Sequence, residues 1–200
     1  MKENSINLVT GTLRESSIDD NGNYLLDSGE EIVYLLDKIA PEVENELEKG
    51  LFLNKNRTSG KGKQKKSVDA VVTKEDKSEV YFIEFKNTVH THMPYKELFY
   101  KTPDSVFIYL YAFEPEISLE QFRNKAIYIV VYNDNAPCRQ KENESKSFEK
   151  FKEKMQEHSK IESDLNHVLW HLDDLEGKLF KKVYTVEKEV FLEELKQLIW

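Results

Sequence analysis

The feature that most constrains the fold is a continuous apolar run in the second half of the chain, 125–132 (KAIYIVVY). It is rich in β-branched and aromatic residues and predicts a strand buried on both faces, which occurs in sheets covered by helices. Two further runs, 67–73 (SVDAVVT) and 79–87 (EVYFIEFKN), flank a short polar turn and predict an antiparallel hairpin. The chain is therefore expected to form an α/β domain with a mixed sheet.

Helical periodicity surrounds these strands. Apolar residues recur at helical spacing from Ile32 to Leu47, so we predict a helix that starts at Ser28 and ends at Gly50. Pro41 is expected to kink or restart this helix. A second helix is predicted over 94–113.

The later part of the chain is expected to pack onto this core. Residues 102–104 (TPD) predict a break in the second helix or the start of another helix, and 183–186 predict a short strand. Apolar spacing over 187–200 predicts a closing helix, within a mainly helical C-terminal portion of about 145–200. No repeat or linker-like stretch divides the 200 residues, so we expect a single domain over 1–200.

Charge is unevenly distributed along the chain. The net charge of −8 argues against a uniformly basic nucleic-acid coat protein. Residues 54–66 carry six cations and no acid, which predicts a loop that binds a phosphate backbone. The alternative is a disordered, solvated loop, and the two are compatible if the loop orders only on binding nucleic acid. The six cations are Lys55, Arg57, Lys61, Lys63, Lys65 and Lys66.

Several classes of protein are excluded by what the sequence lacks. The single cysteine, Cys138, cannot form an internal disulfide or a cysteine-based metal cluster within one chain. The longest apolar run, 106–113, is far shorter than a membrane span requires. We expect a cytoplasmic protein with no membrane partner.

Three charged residues of the predicted hairpin lie among apolar neighbours on its strands. Asp69 lies on one strand, whereas Glu84 and Lys86 lie on the other and point to the same face because they are two apart. Burying such groups unpaired is costly, and a site for Mg²⁺ or Mn²⁺ would explain them, since hard cations prefer carboxylate oxygens. The alternative is a surface ion pair on a solvated face.

On these residues, SVDAVV followed by YFIEFKN resembles the PD-(D/E)XK nuclease superfamily. The resemblance covers about 30–132 and implies a restriction-endonuclease-like core of a helix, three strands, a helix and a further strand. It implies that Asp69 and Glu84 bind the metal and that Lys86 is the catalytic lysine. The chain departs from the motif at Val68, where the name-giving proline would stand.

The resemblance further implies that a carboxylate of the first helix joins the metal site. Glu31, Glu42 and Glu46 are the candidates, and Glu46 is favoured because it falls within the apolar arc of the predicted helix. The third ligand is left open among the three.

The expected function is a metal-dependent nuclease that acts on nucleic acid, with DNA favoured, in restriction, phage defence or repair. One alternative is a catalytically inactive subunit of the same fold that binds nucleic acid, a partner protein or a second copy of itself. Another is an unrelated α/β interaction protein in which Asp69, Glu84 and Lys86 do not meet.

Overall fold

The structure is a computed structural model that describes residues 6–50, 66–93, 95–136 and 168–200. Six strands are present in these ranges: β1 (Thr10–Thr12), β2 (Ile32–Tyr34), β3 (Ala70–Thr73), β4 (Val80–Lys86), β5 (Ala126–Tyr132) and β6 (Lys182–Glu187). The α-helices are α1 (Leu13–Ser16), α2 (Leu36–Gly50), α3 (Tyr95–Phe113), α4 (Leu119–Arg123), α5 (Lys188–Val190) and α6 (Lys196–Ile199). A π-helical turn, Phe191–Leu195, joins α5 to α6, and we call this continuous unit (188–199) the closing helix.

The six strands form one sheet in which the spatial order is the order along the chain. Strands β1 to β4 pair antiparallel, whereas β5 and β6 pair parallel to their neighbours. The predicted mixed sheet of an α/β fold is therefore confirmed. In the β3–β4 hairpin Ala70 lies opposite Ile83, so extending the register by one residue sets Asp69 opposite Glu84.

Helices cover both faces of the sheet. Phe82 lies at the centre of one face, and its ring packs edge-on against Tyr109 of α3 and Phe122 of α4. The other face is covered by α1 and the closing helix, where Phe191 packs against Phe85 at a ring-centroid distance of 6.0 Å. Every residue of β5 is buried between these layers, as its continuous apolar run predicts.

The predicted start of the first helix is wrong. Residues 32–34 form strand β2 between β1 and β3, and helix α2 begins at Leu36. The strand buries Val33 against one face of the sheet, so the apolar residues at 32–36 serve two elements rather than one helix. Helix α2 then runs through Pro41 to Gly50 without the expected restart.

The predicted break at 102–104 is also wrong, because α3 continues through Pro103. Proline has no N–H to donate to the carbonyl four residues earlier, which here belongs to Phe99. The Thr102 hydroxyl donates to that carbonyl oxygen at 3.0 Å and takes the place of the missing bond. The helix therefore keeps its hydrogen bonding across the proline.

The described C-terminal residues, 168–200, extend the sheet as well as cover it. The predicted strand is confirmed as β6, and the predicted closing helix packs Phe191 and Leu195 into the core. The remainder of the expected helical portion, 145–167, lies outside the described residues. No helix in the part of the chain that the structure describes is long and apolar enough to cross a membrane.

Candidate active site at the β3–β4 hairpin

Asp69 and Glu84 lie side by side where β3 begins. The Asp69 Oδ2 atom accepts a hydrogen bond of 2.7 Å from the backbone N–H of Phe85, which fixes this carboxylate against β4. Glu84 is fully buried, and the Lys86 Nζ atom lies 2.7 Å from its Oε1 atom. The structure thus brings together all three residues that the motif predicts, and they do not form an exposed surface pair.

A second lysine, Lys101 of α3, joins this group. Its Nζ atom lies 2.6 Å from Glu84 Oε1 and 3.9 Å from Asp69 Oδ1, and its side chain is only 14% exposed. Sequence reasoning missed Lys101 as a member of the site. The available signal was its helical spacing, since Leu98 and Ser105, three residues before it and four after it, are both buried.

Ser105 ties the helix to the strand that bears Asp69. Its hydroxyl donates to the Lys101 carbonyl at 2.7 Å and accepts a bond of 2.9 Å from the backbone N–H of Val68. Ser105 is fully buried, so solvent does not compete for these bonds. The backbones of Lys101 and Asp69 are therefore held at a fixed separation.

Burial and the neighbouring charges shift the pKa values of Asp69 and Lys86. Burial and the neighbouring Glu84 carboxylate raise the pKa of Asp69 to about 8, against the opposing effect of Lys101. Burial alone would lower the pKa of Lys86, but the carboxylates of Glu84, Asp69 and Glu97 together outweigh it and raise this pKa above the ordinary lysine value. Lys86 therefore keeps its positive charge at neutral pH.

Two buried oxygens beside this group lack a hydrogen-bond partner within the described residues: Glu84 Oε2 and the hydroxyl of Tyr128. Tyr128 lies on β5, opposite Phe82 and on the same face of the sheet as Glu84. Burial, followed by the charges of Glu84 and Asp69, raises the pKa of this tyrosine well above its usual value. A buried carboxylate oxygen seldom lacks a hydrogen-bond partner. Because Glu84 Oε2 has none among the described residues, it can accept a hydrogen bond or bind a cation.

The carboxylates of Asp69 and Glu84 fit a hard divalent ion in donor type, since Mg²⁺ is commonly held by only one or two protein carboxylates. No third ligand is in place: the described residues contain no group of three or more His, Cys, Asp or Glu side chains that could hold a metal ion. Any further ligands would be water or substrate oxygens.

The three candidate first-helix glutamates have different surroundings. Glu31 immediately precedes β2, so it lies outside the helix that was expected to contain it. Its Oε1 atom lies 2.6 Å from the Lys196 Nζ atom. Glu42 accepts a hydrogen bond of 2.7 Å from the backbone N–H of Asn7. Glu46 is partly buried on α2, and its role stays a prediction.

Another acid of that helix is electrostatically linked to the site. Asp37 lies in the first turn of α2, a position that depends on the helix beginning at Leu36 rather than at Ser28. Burial raises the pKa of Asp37, and both Lys38 and Lys101 oppose this rise. The Asp37 carboxylate is thus within electrostatic range of Lys101.

Of the six cations in the predicted phosphate-binding segment, only Lys66 belongs to the described residues. Its Nζ atom lies 3.6 Å from Glu97 at the start of α3, and both side chains are at least half exposed. Such a surface pair contributes little to stability and leaves Lys66 accessible. Lys55, Arg57, Lys61, Lys63 and Lys65 lie outside the described residues.

Comparison with known proteins adds no relative. The chain matches no protein-family model, no curated protein and no solved structure. The resemblance to the PD-(D/E)XK superfamily accordingly rests on Asp69, Glu84 and Lys86, and it stays a prediction.

Proposed function

We propose that this protein is a metal-dependent nuclease that hydrolyses phosphodiester bonds, with DNA as the favoured substrate, and that it acts in restriction, phage defence or repair. The observation that carries the proposal is the convergence of Asp69 and Glu84 from adjacent strands, with Glu84 Oε2 buried and without a hydrogen-bond partner in the described part of the chain. Mg²⁺ or Mn²⁺ held by these carboxylates would supply an activated water and neutralise charge on the phosphate.

The protein groups have distinct roles in this proposal. Asp69 offers Oδ1 to the ion because its Oδ2 is engaged by the N–H of Phe85. Glu84 offers Oε2, since its Oε1 already contacts two ammonium groups. Lys86 remains protonated and donates a hydrogen bond to the attacking water or to a phosphate oxygen, which stabilises the negative charge of the transition state.

The cationic segment supplies the contact with the nucleic-acid backbone. Lys55, Arg57, Lys61, Lys63, Lys65 and Lys66 would neutralise phosphates on an otherwise acidic chain. Binding should therefore weaken steeply with added salt, because each neutralised phosphate releases a counterion.

The test is cleavage of single-stranded DNA, double-stranded DNA and RNA with Mg²⁺, Mn²⁺ or EDTA. Asp69→Asn and Lys86→Met are compared with Asp76→Asn, which removes an exposed carboxylate from the turn of the same hairpin. We expect metal-dependent cleavage that falls about a hundredfold or more in the first two variants and is unchanged in the third. Cleavage that survives in EDTA, or in both site variants, would refute the proposal.

A second candidate function is a catalytically inactive subunit that binds nucleic acid, a partner protein or a second copy of the chain. The observation that favours it is that Lys86 and Lys101 already offset the charges of Asp69 and Glu84 without a metal. This function predicts no cleavage with any metal and nucleic-acid binding that EDTA leaves unchanged. Fluorescence anisotropy of labelled DNA and RNA, with and without EDTA, measures this difference.

A further inference from the structure

Lys101 lies where a cation shared by the two carboxylates would lie. Its ammonium group is 2.6 Å from Glu84 Oε1 and 3.9 Å from Asp69 Oδ1, so it interacts with both acids. Two acids and two lysines leave the group without net negative charge, whether or not Asp69 holds a proton. A divalent ion is therefore attracted to it far less than to two free carboxylates.

We infer that Lys101 is a built-in competitor of the metal: a divalent ion binds Asp69 and Glu84 tightly only when the Lys101 ammonium moves away, and a substrate phosphate stabilises the moved position. The inference rests on the proposed function in assigning the metal and the nucleic acid. It adds a positioning and gating role for a helix lysine that the motif does not include.

The surroundings of Lys101 allow its side chain to move while its backbone stays in place. Ser105 joins the Lys101 carbonyl to the backbone N–H of Val68, which anchors this turn of α3 to the strand that bears Asp69. The adjacent Tyr100 is 74% exposed, so this turn of α3 lies at the protein surface. A lysine has a long flexible stem, and rotation about its side-chain bonds can carry the ammonium group from the carboxylates to solvent.

Among the described residues, Lys86 pairs with Glu84 alone, whereas Lys101 pairs with both acids. Lys86 lies on β4, two residues from Glu84, and its ammonium group contacts the same carboxylate oxygen at 2.7 Å. Its strand pairs with β5 as far as Tyr132, which fixes the direction of the Lys86 side chain. We therefore assign the moving cation to Lys101 and the resident one to Lys86.

A coupling between metal and substrate follows. The metal must displace the Lys101 ammonium group, which costs free energy because its contacts with the two carboxylates are lost. A phosphate beside the site lowers this cost by pairing with the displaced ammonium group. Each ligand then tightens the binding of the other by the same factor, because coupling between two binding equilibria is reciprocal.

The test measures Mn²⁺ affinity by calorimetry and by the electron paramagnetic resonance of free Mn²⁺, with no cleavage required. The variants are Lys101→Met, which keeps the length and removes the charge, and Lys101→Arg, which keeps the charge. Lys178→Met is the control for net charge, because Lys178 is an exposed lysine in the loop before β6. Each protein is titrated alone and with a short phosphorothioate-linked DNA strand.

We expect Lys101→Met to bind Mn²⁺ about tenfold or more tightly than the wild type, and Lys101→Arg and Lys178→Met to bind it as the wild type does. The DNA strand should tighten Mn²⁺ binding to the wild type about fivefold or more, and this gain should shrink in Lys101→Met. Equal or weaker Mn²⁺ binding by Lys101→Met, or no Mn²⁺ binding by any variant, would overturn the inference.

Two further measurements keep the outcomes distinct. Thermal unfolding shows whether Lys101→Met is folded, and Lys101→Gln replaces it if it is not, with the same expected gain. Tighter Mn²⁺ binding by Lys101→Met without cleavage by any variant would support the inference and reject the nuclease. Metal-dependent cleavage together with unchanged Mn²⁺ affinity in Lys101→Met would support the nuclease and reject the inference.

Discussion

The contact between Lys101 and Glu84 predicts a large thermodynamic coupling. At the observed 2.6 Å and an effective dielectric constant of about 20, two unit charges attract by about 6 kcal/mol before the cost of desolvation is subtracted. Removing one partner of a buried pair costs about 3–5 kcal/mol. Because Lys86 remains 2.7 Å from the same oxygen, we expect Lys101→Met to lose about 3 kcal/mol of unfolding free energy.

A double-mutant cycle isolates this interaction from other effects of each substitution. Lys101→Met, Glu84→Gln and the double variant are unfolded in urea and compared with the wild type, and we expect a coupling energy of about 2 kcal/mol. A second cycle on Lys125 and Glu114 is the reference, since this mostly buried pair lies outside the site and has N–O distances of 2.7 and 2.6 Å. A Lys101–Glu84 coupling below about 0.5 kcal/mol, beside a larger reference value, would refute the geometry described for Lys101.

Three further predictions concern the same region. Because the pKa of Asp69 is raised to about 8, the folded protein binds more protons than the unfolded chain between about pH 4 and pH 8. The wild type should therefore lose stability relative to Asp69→Asn as pH rises through this range, by at most about 1.4 kcal/mol per pH unit, and urea unfolding at several pH values measures the difference. Tyr128→Phe should leave the melting temperature unchanged or raise it, because the buried hydroxyl that it removes has no hydrogen-bond partner among the described residues; a loss above about 1 kcal/mol would show that the hydroxyl is bonded. Thr102→Val should cost about 1–2 kcal/mol in urea unfolding by leaving the Phe99 carbonyl unbonded, and an unchanged midpoint would contradict the role given to this hydroxyl.

The sheet and the motif residues were predictable because their signals are local. The run from Ala126 to Tyr132 contains no charged residue, and it forms a strand buried along its whole length. The two shorter runs are close enough to pair as a hairpin, which sets Asp69 beside Glu84 once the register is known. Period-two alternation then places Lys86 on the face of Glu84.

The start of α2 and the contact of Lys101 with Glu84 could not be predicted locally, because both depend on parts of the chain that are distant in sequence. Ile32 and Leu35 fit helical spacing, but pairing of 32–34 with β1 and β3 fixes these residues as a strand. Lys101 is two residues before Pro103, and the proline predicted a break in the helix close to this lysine. The helix continues because the Thr102 hydroxyl compensates the proline locally, and only the packing of α3 against the sheet brings the lysine to Glu84.

The agreement between strand order and chain order has a consequence for folding. Each strand adds beside the one made before it, so the sheet can grow from one edge to the other without inserting a strand between two others. The carboxylate pair requires only the hairpin of β3 and β4, whose contacts are close in sequence and therefore cost little loop entropy. The two acids are thus expected to meet early with Lys86 already beside Glu84, and the docking of α3 then brings a second ammonium group, that of Lys101, to the pair.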